Sequence, residues 1–199
     1  GYYISSLLRA ITATISPELI SEFNLSAGDL GLLGGAYFLG FATVQIPLGY
    51  LLDSKGPKTI VSAFLGIAML GIILFSLSTN FTILLFSRFL IGVGVGACLM
   101  GPLTAYRAWF QEKIQQRTNS WMLMTGAIGL LSSSLPVQFL LPIIGWRLIF
   151  GILALLTLLC IMLTILFIPN WKEQDTNANL EDKGSLKEIW KNKFFISLV

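Results

Sequence analysis

The sequence predicts an all-α membrane protein, a bundle of six transmembrane helices, and three observations carry that prediction. Charged residues make up 12% of the 199 residues, against roughly 25% in a soluble domain, and the mean hydropathy is +0.79. The apolar residues are gathered into long runs, with no charge between Leu30 and Leu52, between Thr59 and Arg88, from Phe89 to Tyr106, from Thr118 to Trp146, or from Leu148 to Trp171. About 20 apolar residues cross the hydrocarbon core as a helix, so every run is long enough to span. Lastly, the basic residues collect in alternate gaps between the runs, which is the pattern of a chain threaded back and forth through a bilayer.

Taken in order, helix 1 ends near Ser16, helix 2 covers 30–52 and helix 3 covers 59–79, with a turn near its far end before the next span. Helix 4 covers 81–106, helix 5 covers 119–140, and helix 6 covers 148–168. Ser26 followed by Asp29 is a capping-box pattern that opens helix 2, and Asn80 can cap helix 4. Pro136 and Pro142 bend or end helix 5, with Ser132, Ser133 and Ser134 placed to satisfy a freed carbonyl. Pro169 and Asn170 stop helix 6. The stretch 169–193 then turns polar and reads as a linker, with a short surface helix expected over 185–191, and a seventh helix starts over 194–199. Both chain ends read as cut through helices. The stretch from Tyr2 to Ile15 has no basic flank and no cleavage site, so it reads as the end of a first span and not as a signal peptide. Cys98 and Cys160 lie within apolar runs without metal-ligand spacing and read as small hydrophobic residues.

The gaps after helices 2, 4 and 6 hold Lys55, Lys58, Arg107, Lys113, Arg117, Lys172, Lys183, Lys187, Lys191 and Lys193, ten of the thirteen basic residues. The segment 16–29 carries Glu18, Glu22 and Asp29 and no Lys or Arg. The positive-inside rule therefore places the basic gaps, and the amino terminus with them, in the cytoplasm. The net charge of +3 is explained by this placement and needs no nucleic-acid partner.

The gap after helix 2 runs Gly49-Tyr-Leu51-Leu-Asp53-Ser-Lys55-Gly56-Pro-Lys58. It resembles the signature loop of the major facilitator superfamily, G-x-L-x-D-[RK]-x-G-[RK]-[RK], and falls where that family places it. Gly49 allows close helix contact and Gly56 supplies a positive φ. Asp53 can accept loop amide hydrogen bonds, and Lys58 can rest on acidic lipid or a helix end. Ser54 stands where the first basic residue is expected, Lys55 follows one place late, and Pro57 replaces one of the final pair. Arg88-x-x-x-Gly92-x-Gly94-x-Gly96 is similar to the family's helix-4 segment, and Gly145-Trp146-Arg147 is a commonplace before its helix 6. The glycines in mid-membrane read as close helix packing and not as a phosphate loop, and Gly31 with Gly35 reads the same way. The resemblance implies one half of a twelve-helix fold, with Gly49, Asp53, Lys55, Gly56 and Lys58 as the gating loop.

An ionised group inside a bilayer is costly and therefore a functional candidate. With helix 1 ending near Ser16, the six spans hold no Asp, Glu or His, and two deeply placed cations, Arg9 and Arg88. The resemblance implies that helices 1 and 4 line the central cavity, so both can face it. For Arg88 a structural bond to backbone stands level with a solute role; for Arg9, with no acid in its half available to pair with it, the solute role is favoured. Tyr37, Phe41 and Gln45 fall on one helical stripe, which reads as packing first and as a cavity wall second.

The function expected is secondary transport of a small anionic organic solute by alternating access, with Arg9, Tyr37, Phe41, Gln45 and Arg88 as substrate-binding residues. The alternative is a multidrug or metabolite exporter, although 126–136 lacks the glycine-rich helix-5 element of drug–proton antiporters. An integral-membrane enzyme is disfavoured because no nucleophile, base or intramembrane carboxylate constellation is present, and a channel because no filter-like segment is. No catalytic residue, metal or cofactor is expected. The partners are the solute and the lipid bilayer, with a coupling ion only if residues beyond this half supply a titratable group. The resemblance implies a monomer in the cell (inner) membrane.

Overall fold

The computed structural model describes residues 1–169, and these are almost wholly helical. Helix α1 is Tyr2–Phe23. A continuous path over Ala27–Ser76 breaks at Gly56 into α2 (27–55) and α3 (57–76). Phe81–Val95 and Ala97–Trp109, offset at Gly96, together form α4 (Phe81–Trp109). Glu112–Phe167 breaks at Gly145 into α5 (112–144) and α6 (146–167). Six antiparallel helices result among the described residues, in the order the apolar runs indicate. The linker expected over 169–193, apart from non-helical Pro169, and the helix start expected over 194–199 lie outside the described residues.

Two of the sequence-derived ends move outward. Helix 1 continues past Ser16 to Phe23 with Pro17 inside it. A proline removes the amide that would bond the carbonyl four residues back. That carbonyl is Ala13 O, and the Ser16 hydroxyl donates to it at 2.8 Å. The helix stops instead at Asn24, which takes the left-handed conformation (φ 52°, ψ 45°) of a C-terminal cap. Glu18 and Glu22 therefore belong to helix 1. Helix 5 likewise starts at Glu112 and runs through Pro136 and Pro142. The serines do not serve the carbonyl that Pro136 frees: Ser132 donates to Ile128 O (2.8 Å) and Ser133 to Leu130 O (2.6 Å). The carbonyl of Ser133 accepts from Thr14 (2.7 Å), which ties α5 to α1.

The caps form as the sequence indicates. At the start of α2, Ser26 N–H donates to Asp29 Oδ2 (2.9 Å) while Asp29 N–H donates to Ser26 Oγ (3.2 Å). At the start of α4, Ile83 N–H donates to Asn80 Oδ1 at 2.9 Å. The α2–α3 turn is a single residue: Gly56 takes φ 78° and ψ 158°, a region closed to other side chains without strain, and Pro57 is pre-set to open the next helix. Gly145 (φ 72°, ψ 160°) makes an equivalent one-residue turn between α5 and α6, at the opposite end of the bundle.

Helix α4 is the packing centre. A Cβ on Gly92 would overlap the Tyr37 backbone, and one on Gly40 the Phe89 backbone, so α2 and α4 cross in direct main-chain contact. Gly94 meets Ala68, Gly71 meets Ile91, and Gly101 meets Val61, which seats α3 along the next side of α4. Gly126 and Gly129 of α5 receive Tyr2 and Tyr3 of α1 in the same manner. Gly31 and Gly35, read from sequence as a packing pair, differ: nothing among the described residues lies within 4 Å of a Cβ built on either.

Candidate solute site

The close crossing of α2 with α4, and of α1 beside them, leaves a cavity of about 360 Å³. Arg9, Ala10, Thr12, Ala13 and Ser16 face it from α1, Leu30, Gly34, Tyr37 and Phe38 from α2, and Arg88 from α4. Three of the five sequence-derived binding candidates, Arg9, Tyr37 and Arg88, are thus brought together from three helices. Phe41 and Gln45 are not on this wall. The backbone of Phe41 sits against Gly92 in the α2–α4 crossing and its ring packs on the core, the packing role that its stripe first suggests. Gln45 is half-buried two turns beyond Tyr37, with its Nε2 unbonded. The stripe diverges because 100° per residue carries positions 41 and 45 progressively behind the face that Tyr37 presents.

Arg88 is 1% exposed. Its Nη1 donates to Leu8 O at 3.0 Å, the carbonyl immediately before Arg9, and the guanidinium carbon lies 4.9 Å from the centre of the Phe75 ring and 6.0 Å from that of Phe150. Such a cation over two ring faces is favourably placed once water is excluded. Its Nε and Nη2 have no partner among the described residues. Those two donors share one edge of the guanidinium, the edge that presents parallel N–H groups to an oxyanion. The sequence left a structural and a functional role for Arg88 level; in the structure one nitrogen is anchored, and the other two are buried without a partner among the described residues.

Arg9 lies beside the Tyr37 hydroxyl, which itself approaches Ser5 O at 3.5 Å. Arg9 is exposed to the cavity, and neither it nor Arg88 forms an ion pair with any described residue. Among the described residues no cluster of three or more metal-ligating side chains occurs.

A second cluster had no sequence signal beyond the Gly145-Trp146-Arg147 triplet. Arg147 pairs with Glu22 at 2.5 Å and donates to Ser78 O at 3.0 Å, and Trp146 Nε1 donates to Glu22 at 2.9 Å. Ser76 donates to Arg147 O at 2.8 Å. This clasp joins the ends of α1, α3 and α6 at the rim of the bundle. Its hydrogen bond from Arg147, chiefly, holds the Glu22 carboxyl below its ordinary range, against the opposing effect of partial burial. Below the clasp Trp146 meets Phe75 edge-on (5.6 Å), and Phe75 stacks on Phe150 (4.3 Å), the same two rings that hold Arg88. Trp146 and Glu22 are 124 residues apart, so only the folded chain reveals the link.

At the opposite rim, Asp53, Ser54 and Lys55 are exposed at the end of α2, Gly56 and Pro57 are buried, and Lys58 is half-buried. A Cβ on Gly49 would meet nothing within 4 Å among the described residues, so these do not supply the close contact expected there. Gln115 Nε2 donates to Arg107 O (3.3 Å) and Phe110 O (2.8 Å), which closes the short α4–α5 connection on the same rim.

The model of the Major Facilitator Superfamily matches residues 1–199. Among similar curated proteins, a probable L-galactonate transporter of Escherichia coli (strain K12) is 29% identical over 72% of this chain and 32% of its own length. The multidrug resistance protein MdtL of Escherichia coli O139:H28 is 22% identical over 92% of this chain and 46% of its own length. The fold is similar to that of a bacterial homolog to the human lysosomal transporter Spinster in an inward-facing and unoccupied conformation: TM-score 0.67 and 20% identity, over 96% of this chain and 46% of that one. The chain thus spans less than half the length of the proteins it matches.

Proposed function

Because the chain belongs to the Major Facilitator Superfamily, we propose that it is the amino-terminal, solute-binding half of a secondary transporter for a small organic anion. The observation that carries this reading is the pair of guanidinium groups on one cavity wall without a carboxylate partner among the described residues, one of them with a complete donor edge unused. An arginine kept in a bilayer costs about 2.5–3.5 kcal/mol or more, and a solute carboxylate, sulfonate or phosphate gripped by both cations offsets that cost. Tyr37 supports the grip as a hydroxyl beside Arg9. A second six-helix bundle completes the cavity, and the two rock about it to give alternating access. The loop at Gly49, Asp53, Lys55, Gly56 and Lys58 biases the exchange between the two open forms without touching solute. The basic rim faces the cytoplasm and the Glu22–Arg147 rim faces outward.

In the full-length protein, Arg9→Gln should abolish binding of small carboxylates and sulfonates, and Arg9→Lys, which keeps charge but loses the fork, should weaken it. Thermal stabilisation of the purified protein by a panel of such acids measures both. Solute stabilisation that is identical in wild type and Arg9→Gln refutes the reading. The likeness to a multidrug resistance protein favours a second reading, an exporter of cationic or neutral compounds, and the same panel extended to those compounds separates the two.

A further inference from the structure

Apart from its two cations, the cavity wall offers an anion little to bond. Tyr37, Thr12 and Ser16 are its hydroxyl residues, and the Ser16 hydroxyl already donates to Ala13 O. Tyr37 is directed to Ser5 O and Arg9. The rest of the wall is Ala10, Ala13, Leu30, Gly34 and Phe38. Gly34 and Phe38 are one helical turn apart on α2 and share a face. Nothing lies within 4 Å of a Cβ built on Gly34, so bare backbone is open there, while the Phe38 ring is 57% exposed and braced edge-on by Tyr37 at 5.4 Å. Gly34 and Phe38 form an apolar slot in the wall of the cavity that Arg9 and Arg88 also line.

We infer that this cavity selects a flat monocarboxylate: the acid group lies on Arg88 and Arg9, and an apolar ring lies in the slot over Gly34 against Phe38. The inference rests on the anion reading above and sharpens it to one class of anion. On the wall this half supplies, a polyhydroxy acid of similar size meets the same cations but, Thr12 apart, leaves its hydroxyls against alanine, leucine and phenylalanine. Each hydroxyl stripped of water without a partner lowers affinity by about tenfold. An aromatic ring paired with Phe38 gains about threefold to tenfold over an aliphatic contact of equal area.

The test uses purified full-length protein with benzoate and D-gluconate as probes, measured by isothermal calorimetry in wild type, Phe38→Ala, Gly34→Leu, Arg9→Gln and Arg88→Gln. Benzoate should bind at least about tenfold more tightly than gluconate. Phe38→Ala should weaken benzoate about threefold to tenfold and leave gluconate unchanged. Gly34→Leu enters open space, so the protein folds, and the new side chain should displace benzoate. Two results overturn the inference and leave the anion reading standing: gluconate binding as well as benzoate with Arg9 and Arg88 both required, or benzoate binding indifferent to Phe38→Ala and Gly34→Leu. Binding of neither acid, or binding indifferent to Arg9→Gln and Arg88→Gln, overturns the anion reading and the inference together.

Discussion

Gly92→Ala tests the crossing on which the cavity depends. The new Cβ would stand 2.9 Å from the Tyr37 carbonyl carbon and 3.0 Å from the Phe41 nitrogen, and nearer still to the Tyr37 oxygen. All three are main-chain atoms, so no rotamer change relieves them. With carbon contacts optimal at about 3.5–4.0 Å, α2 and α4 must part by about 1 Å, which forfeits up to half of each dispersion contact along the seam. Overpacking of this kind costs about 1–3 kcal/mol, and the better helix propensity of alanine returns about 1 kcal/mol. The net loss is up to about 2 kcal/mol. Gly35→Ala, on the same α2 helix but with nothing within 4 Å of its Cβ, carries the propensity gain without the clash. Melting of the two full-length variants in one detergent makes the comparison. Gly92→Ala should melt below wild type and Gly35→Ala at or above it. Equal melting temperatures for the two would refute main-chain contact at Gly92.

Other outcomes follow from the rims. Single cysteines at Ser21 and Lys113, in a background without Cys98 and Cys160, should be labelled from opposite sides of the membrane by an impermeant maleimide, Lys113→Cys from the cytoplasmic side; labelling from one side would break the six-span topology. Asp53→Asn should slow transport strongly while solute affinity changes less than about twofold, a shift under 0.5 kcal/mol, and wild-type transport would remove the loop's gating role. The pH dependence of stability has a definite sign. The Glu22 pKa is held below the ordinary carboxylate value, so the stability it lends is complete above that value and is lost as pH falls through the lower folded pKa. Both partners of the Glu22–Arg147 pair are more than a third exposed, so its share is a few tenths of a kcal/mol to about 1 kcal/mol. Glu22→Gln should flatten the acid limb of a melting-versus-pH profile, and an unchanged limb would show that the clasp carries no such share.

The spans, both helix caps and the Gly56 turn were legible because each is written in adjacent residues: a run of apolar side chains, Ser26 three places before Asp29, a glycine before a proline. The end of α1 was not, because Ser16-Pro17 reads as a stop until the Ser16 hydroxyl is seen on Ala13 O. Arg9 and Arg88 were identified as candidates by the cost of burying charge. Their meeting place needed the approach of Leu8 O on α1 to Arg88 on α4. Nothing local announces Glu22 as the partner of Trp146 and Arg147. The split among Tyr37, Phe41 and Gln45 turned on which face of α2 the glycines of α4 occupy, a question of tertiary contact.

The two glycine elbows have nearly the same backbone angles, and each is followed two residues on by a cation, Lys58 in one and Arg147 in the other. They close hairpins at opposite ends of the bundle. The α2–α3 and α5–α6 hairpins thus repeat one turn with opposite sense, the relation that inverted repeats have. A shape so related to its own inversion gives a membrane little reason to prefer one orientation on packing grounds. On the proposed topology the choice of up and down then rests with a handful of lysines and arginines at one rim, so that orientation is an electrostatic property that few substitutions could reverse, while the fold that is oriented stays the same.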